Sequence, residues 1–360
     1  MKKLMVVILS LFMATLTACN KSANLTTEQK PTDTQNQTQT KTEGESKQYV
    51  INDFFPMKGN LRMKYAESGN EYAAKDVYVD YLRDNKVQLR IITGGTTVGQ
   101  ILENKNGELK TVFSRGEFYY RDDLTKENSN TNDILIKEPI VKGNTWTLSD
   151  GRKRTITAVG DFITTPAGKF KSIEVTTEGK DSTTKDYYGL GVGLIKTVFQ
   201  SNGLVVTTTL EKLDKDAAVT QTVKFYYPMP EDSKIGEKKI VASFKTNDET
   251  KAFFENNFKK APSSSTIPLM TANTKINKLY LNEAENKVYV DFSKEFVSEM
   301  NAGTYKELAV LTSVTDTLGN YYNVDKVYIT IEGKPYASSH IIKKAGEVFK
   351  VNYENIVSLD

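Results

Sequence analysis

The sequence predicts an α+β protein. An antiparallel all-β domain, a curved sheet or half-barrel, precedes a smaller β-β-α-β-β-α-β domain with two helices on one sheet face. Three observations predict it. Apolar and polar residues alternate along much of 49–213, as in strands with one buried face. Asn-Gly and Asp-Gly pairs punctuate those runs as tight hairpin turns do. Beyond residue 219 two helical stretches interrupt the strands, each opened by a Thr-x-x-Glu signal.

Composition narrows the chemistry. The chain has 360 residues, room for about two domains. Lys and Arg number 48 against 45 Asp and Glu, a formal net charge of +3. Lys2 and Lys3 belong to the leader described next, which leaves the rest of the chain close to neutral. A nucleic-acid binder carries a clear basic excess, so no nucleic-acid partner is expected. One Cys excludes an internal disulfide and a cysteine-based zinc site, and one His excludes a multi-histidine metal centre. These counts argue against much of enzyme chemistry; neither a catalytic residue, a metal nor a cofactor is expected.

Residues 1–19 read as a secretory leader. Lys2 and Lys3 supply the positive start, and Leu4 to Leu16 is an apolar core of thirteen residues broken only by Ser10 and Thr15. That core falls short of the ~20 residues a membrane-spanning helix needs. Leu16-Thr17-Ala18-Cys19 resembles a bacterial lipobox, which implies lipidation of Cys19 and a membrane tie through its lipid. In residues 20–48 Ala23 and Leu25 are the only apolar side chains, so this stretch is expected to be a disordered tether. Its r.m.s. span as a flexible coil is roughly 30 Å, enough to lift a folded head clear of lipid headgroups.

In 49–213, Val87, Leu89 and Ile91 alternate with Lys86, Gln88 and Arg90, and Val77, Val79 and Tyr81 repeat the pattern, as do Ile173 and Val175. Asn106-Gly107, Asp150-Gly151 and Asn202-Gly203 supply residues that tolerate positive φ in a two-residue turn. The spacing gives about eight to ten antiparallel strands in one curved sheet, half-barrel or barrel. Gly189, Gly191 and Gly193 lack the spacing and the following helix of a dinucleotide-binding turn. They are expected to let a strand bend or approach another closely. Aromatic pairs recur at Phe54-Phe55, Tyr119-Tyr120 and Tyr187-Tyr188, with Trp146 the only tryptophan. Adjacent strand residues face opposite sides, so core packing is expected of about half of them, ahead of stacking on wall glycan.

In 219–342, Val223 to Tyr227 reads as a strand ended by Pro228 and Pro230, and Ile240 to Phe244 as another. Thr246 and Glu249 form a capping box before a helix with Phe254 and Phe258 on one face, stopped by Pro262 and Ser263-Ser264-Ser265. Ile276 to Leu281 and Lys287 to Phe292 form a hairpin. Thr304 and Glu307 open a second helix through Tyr305, Leu308, Leu311, Val314 and Leu318, with Gly319 at its C-cap. Val324, Val327, Ile329 and Ile331 make the closing strand, and 343–360 is a C-terminal tail. Asp291, Ser293 and His340 resemble a hydrolase set by residue type alone; no Gly-x-Ser-x-Gly elbow is present. Ser293 is expected to cap the turn that follows it, and His340 to lie at the surface.

VKFYYP (223–228), the Ser264 to Pro268 segment with Thr274-Lys275-Ile276, and VYVDFSKEF (288–296) resemble the GerMN domain of bacterial sporulation and spore-germination lipoproteins. The helix through Leu311, Thr317 and Leu318 into VDKVYITIEGKP (324–335) continues the resemblance in the right order. Where that family shows Gly-Pro after the first helix, this chain has Ala261-Pro262. The resemblance implies a non-catalytic interaction module, similar in fold to ring-building domains of secretion and sporulation complexes.

The expected protein is therefore lipid-anchored on the extracytoplasmic face of the cell membrane. It would serve as a scaffold or assembly factor in a cell-envelope, sporulation or spore-germination complex. Its partners would be envelope proteins, with homo-oligomers among the possibilities. The alternatives are a cell-wall glycan binder and a sensor lipoprotein that modulates a membrane kinase. Two helices on one sheet face leave the other face open. Tyr280, Tyr289 and Tyr328, in neighbouring strands, are expected to form an interaction surface there, with Val288, Val290 and Phe292 turned to the helices. A boundary between two independently folding units is expected within 214–220.

Overall fold

The computed structural model describes residues 48–360; Cys19, the leader and nearly all of the 20–48 segment lie outside the described residues. A short helix α1 (Ile51–Phe54) comes first. Then follow β1 (Leu61–Ser68), β2 (Lys75–Arg83), β3 (Lys86–Thr93), β4 (Thr97–Lys105), β5 (Glu108–Arg115) and β6 (Asp133–Lys137). After them run β7 (Thr145–Thr147), β8 (Lys153–Thr165), β9 (Gly168–Glu178), β10 (Ser182–Gly189), β11 (Gly193–Ser201) and β12 (Leu204–Lys215). All twelve join one antiparallel sheet in the order β6-β5-β4-β3-β2-β1-β12-β11-β10-β9-β8-β7.

The two edges of this sheet meet through side chains instead of a ladder. Trp146 Nε1 donates to the Ile134 oxygen at 3.0 Å, and Arg154 Nη1 donates to Asp133 Oδ1 at 2.7 Å and to the Ile134 oxygen at 2.6 Å. The result is a nearly closed barrel. Its twelve strands exceed the about eight to ten legible from periodicity, because three- and five-residue strands such as β7 and β6 are too short to show a period. Asn106-Gly107 turns with φ of 55° and 71°, and Asn202-Gly203 with 48° and 83°, both in the positive region such hairpins require. Gly189 packs so close to Ile195 that a Cβ would stand 2.9 Å from Cγ2, and Gly191 turns at φ 77°. One member of each aromatic pair (Phe54, Tyr120 and Tyr188) is buried, as is Trp146.

Beyond the barrel, β13 (Val219–Met229) and β14 (Lys234–Phe244) form a hairpin. Next come α2 (Thr250–Phe258), β15 (Ile276–Asn282), β16 (Lys287–Phe292), α3 (Glu295–Ser298) and α4 (Thr304–Tyr322). The chain closes with β17 (Lys326–Ile331), β18 (Lys334–Pro335), β19 (Phe349–Lys350) and β20 (Ile356–Ser358). The expected order of strands and helices is present, but not as one sheet. β13, β14 and β20 make one sheet; β15 to β18, with β19 on β17, make another. Helix α4 is the reason. Thr317 Oγ1 accepts the Tyr226 N–H at 3.0 Å, so a helix side chain takes a strand donor that a neighbouring strand would otherwise take.

Four local expectations fail, two of them because longer-range partners take the capping side chains. Thr246 does not cap α2; its hydroxyl accepts from Asn60 N at 2.6 Å and donates to the Val79 oxygen at 2.7 Å, and α2 starts after Glu249. Glu307 does not close a capping box; it is buried and accepts from Tyr336 Oη at 2.8 Å and Ser338 Oγ at 2.5 Å. Gly319 is not the C-cap of α4, which runs on to a left-handed Asn323. Tyr305 and Leu308 lie outside the buried stripe of that helix, exposed by 58% and 52%.

The barrel core gathers Ile156, Ile173, Ile195, Leu210, Leu109 and Ile136, all out of solvent, with Ile51 and Phe54 of α1. A second core centres on Phe225, Phe254, Phe258, Val288, Phe292 and Leu311, and takes in Phe113, Phe118, Tyr120 and Leu124 from the N-terminal half. Strand pairing breaks between Lys215 and Val219, while the apolar packing crosses that point.

Candidate functional site

The open face of the β15–β16–β17 sheet is built by alternation. In β16, Val288, Val290 and Phe292 turn inward and are buried, which leaves Tyr289 on the outer face. Register does the rest. Tyr280 of β15 pairs with Tyr289, and Tyr289 pairs with Tyr328 of the parallel strand β17. The three rings form a row across the strands. Tyr280 and Tyr289 stack with centroids 5.2 Å apart and planes 3° from parallel, and Tyr328 meets Tyr289 edge-on at 5.3 Å. Tyr280 is 42% exposed; Tyr289 and Tyr328 are half-buried.

Two residues that sequence reasoning passed over frame this row. Lys287 places its ammonium 4.7 Å from the Tyr289 ring centroid and 5.5 Å from that of Tyr328. Glu285 pairs with Lys287 and accepts the Tyr289 hydroxyl at 2.7 Å. The hydrogen bond from Lys287, followed by that from Tyr289, holds the Glu285 carboxyl below its usual range, and the bond to Glu285 raises Lys287. Burial raises the Tyr280 phenol, aided by the neighbouring Tyr289 and Glu285. The signal for Lys287 was available, since counting back by two from Tyr289 along β16 gives it; Glu285 lies in the turn before the strand, outside that alternation. Chemically the face offers flat aromatic area, hydroxyl donors and one ion pair, the equipment of recognition.

The structure does not join Asp291, Ser293 and His340 by any hydrogen bond. Asp291 accepts from Thr330 Oγ1 at 2.5 Å, Gly333 N at 2.7 Å and Asn277 Nδ2 at 3.0 Å. Burial opposes its charge, but these bonds outweigh burial and lower its pKa. Ser293 Oγ accepts from Lys275 N at 3.0 Å, in a neighbouring segment; in the turn after it the Ser293 main-chain oxygen accepts from Phe296 N and the hydroxyl donates to the Glu295 carboxylate, which lowers the Glu295 pKa. His340 is exposed in a turn held by Ser338. Among the described residues, no group of three or more His, Cys, Asp or Glu side chains is placed to hold a metal, and no helix is long and apolar enough to cross a membrane. Cys19 lies outside the described residues.

The fold is a nearly closed β-barrel joined to a two-sheet α/β module that presents an aromatic face. Residues 224–337, the part that carries the tyrosine row, match the Germane family, described as sporulation and spore germination, so this stretch is a GerMN-type domain. Solved structures similar to the chain include the tandem GerMN domains of the sporulation protein GerM from Bacillus subtilis, at 17% identity over 37% of this chain and 46% of that one, with a TM-score of 0.27. The chain thus spans about half the length of that tandem structure. A candidate lipoprotein from Parabacteroides distasonis is 18% identical over 45% of this chain and 98% of its own, with a TM-score of 0.29. A candidate exported protein with a YmcC-like fold from Bacteroides fragilis is 14% identical over 45% and 99%, with a TM-score of 0.29. No curated protein matches the chain.

Proposed function

We propose that the protein is a non-catalytic, lipid-anchored interaction protein on the extracytoplasmic face of the cell membrane, a scaffold or assembly factor in an envelope, sporulation or germination complex. Its anchor is the lipid on Cys19, and its docking surface is the row Tyr280, Tyr289 and Tyr328. The observation that carries the reading is that row, lying across three strands of the region that matches the Germane family. Tyrosine suits such a face because its ring tolerates water alone and gains apolar contact in a complex, while the hydroxyl keeps a polar partner.

Two measurements on the full chain in cells test it. Cys19→Ala is expected to leave the membrane fraction; retention after a salt wash would refute the anchor. A photo-crosslinking phenylalanine analogue in place of Tyr280 is expected to give discrete adducts with envelope proteins or with a second copy of the chain. The same analogue in place of Val241, an exposed residue of β14, should give none of them. Adducts common to both positions, or none at Tyr280, would remove the docking role of the row.

A further inference from the structure

The barrel encloses a cavity of about 270 Å³ that the tyrosine face does not involve. Its walls are mostly aliphatic, among them Met63, Val77, Val79, Leu89, Leu102 and Leu194. The segment that follows the start of the described chain, Phe55 to Lys58, forms part of the lining together with Val192 of the β10–β11 turn. Lys58 is the exposed member of that lining and marks the opening. An apolar chamber with a few convergent polar groups is the usual form of a small-molecule site.

Most of the polar groups inside are already engaged. Asp133 is paired with Arg154 at 2.7 Å, Asp186 accepts from Thr197 Oγ1 at 2.7 Å, and Tyr65 Oη donates to the Leu194 oxygen at 2.8 Å. Lys75 differs. Among the described residues its ammonium has no hydrogen-bond or ion-pair partner, and it stands 5.1 Å from the centroid of the Tyr65 ring. Burial lowers its pKa, with the charge of Asp186 pulling the other way, and burial raises that of Asp186. Lys75 is half-buried, and an anionic group delivered by a ligand into this mostly apolar chamber would give its ammonium the partner it lacks.

Position then specifies the ligand. Lys75 lies opposite Tyr65 in the β1–β2 pairing, whereas Leu61, near the Phe55 to Lys58 segment, is at the other end of β1. The four strand steps from Tyr65 to Leu61 correspond to roughly 13 Å of wall. We propose that this cavity binds a single-chain fatty acid, with its carboxylate on the Lys75 ammonium and its chain running past the aliphatic wall toward Phe55, Met57 and Val192 at the opening. The volume of about 270 Å³ suits one straight medium-length chain.

The test is calorimetric titration of the purified full chain with decanoate, decanol and decylamine. Decanoate is expected to bind with one-to-one stoichiometry, and the two others about tenfold or more weaker. Lys75→Met keeps the length and removes the charge, so it should bring decanoate down to the level of decanol without lowering the melting temperature. Val79→Phe, which fills the cavity, should abolish binding of all three. If that variant fails to fold, the Lys75→Met comparison alone decides. Equal decanoate affinity in wild type and Lys75→Met, decylamine binding as tight as decanoate, or no decanoate binding would each overturn the proposal.

Discussion

Arg121 Nη2 donates to the main-chain oxygen of Asp80 at 2.7 Å, with both residues shut off from solvent. The same guanidinium reaches the Tyr81 hydroxyl at 2.8 Å and the main-chain oxygens of Asp248 and Lys245, and lies 4.2 Å from the Tyr81 ring centroid. One side chain thus ties β2 of the barrel to the segment between β14 and α2. Arg121→Met would strand these acceptors and leave Asp80 with Arg90 alone, whose Nε lies 3.0 Å from Asp80 Oδ2. The expected loss is about 3–5 kcal/mol, read as a lower urea midpoint.

Tyr289→Ala and Val290→Asp separate face from core. The tyrosine loses one stacked ring and one bond to Glu285, so the full chain should lose about 1 kcal/mol or less in stability. Val290, 1% exposed, would carry an unpaired carboxylate into the core and should unfold the region. Equal damage in thermal melts would make Tyr289 part of the core.

Gly319→Ala sets propensity against space. Alanine in mid-helix gains about 1 kcal/mol over glycine. Here a Cβ would stand 2.3 Å from Val351 Cγ1 and 2.8 Å from the Val324 oxygen. The valine can turn but the carbonyl cannot, so the overlap, typically about 1–3 kcal/mol, should win and lower the melting temperature.

Asp316 is buried in α4 and takes one bond at 2.7 Å from Asn352 N, while its second oxygen has no partner. Burial pushes its pKa up to about 7. The sign follows from proton binding. Between the free-carboxyl value near ~3.9 and 7 the folded state holds a proton that the unfolded state has lost, so stability falls as pH rises across that window, by at most about 1.4 kcal/mol per pH unit. Asp316→Asn should therefore be more stable than wild type at pH 8, with the gap narrowing as pH falls below 7 and closing near the free-carboxyl value of ~4. A gap that does not change with pH would show that this carboxyl does not titrate there.

Alternation and turn chemistry were legible wherever an element was long enough to repeat. The strands around Val87 and Val77, the two Asn-Gly hairpins and the inward face of β16 all follow from residue type alone. Helix ends were less legible. A cap contributes about 1 kcal/mol, and a long-range partner can outbid it, as the Thr246 and Glu307 contacts demonstrate.

For the candidate face, the sequence by itself determined that Tyr289 stands opposite in sense to Val288 and Val290, because side chains alternate along a strand whatever surrounds it. Only the tertiary structure set Tyr280 and Tyr328 beside it, through the antiparallel register of β15 and the parallel register of β17. The same division holds in the barrel. Local pattern gave its strands an inward face; closure by Trp146 and Arg154 on β6, and the placing of Lys75 in the cavity wall, depend on residues far apart in the chain. Pairing register and closure are settled by the summed burial of whole faces, a quantity that no local window of residues contains.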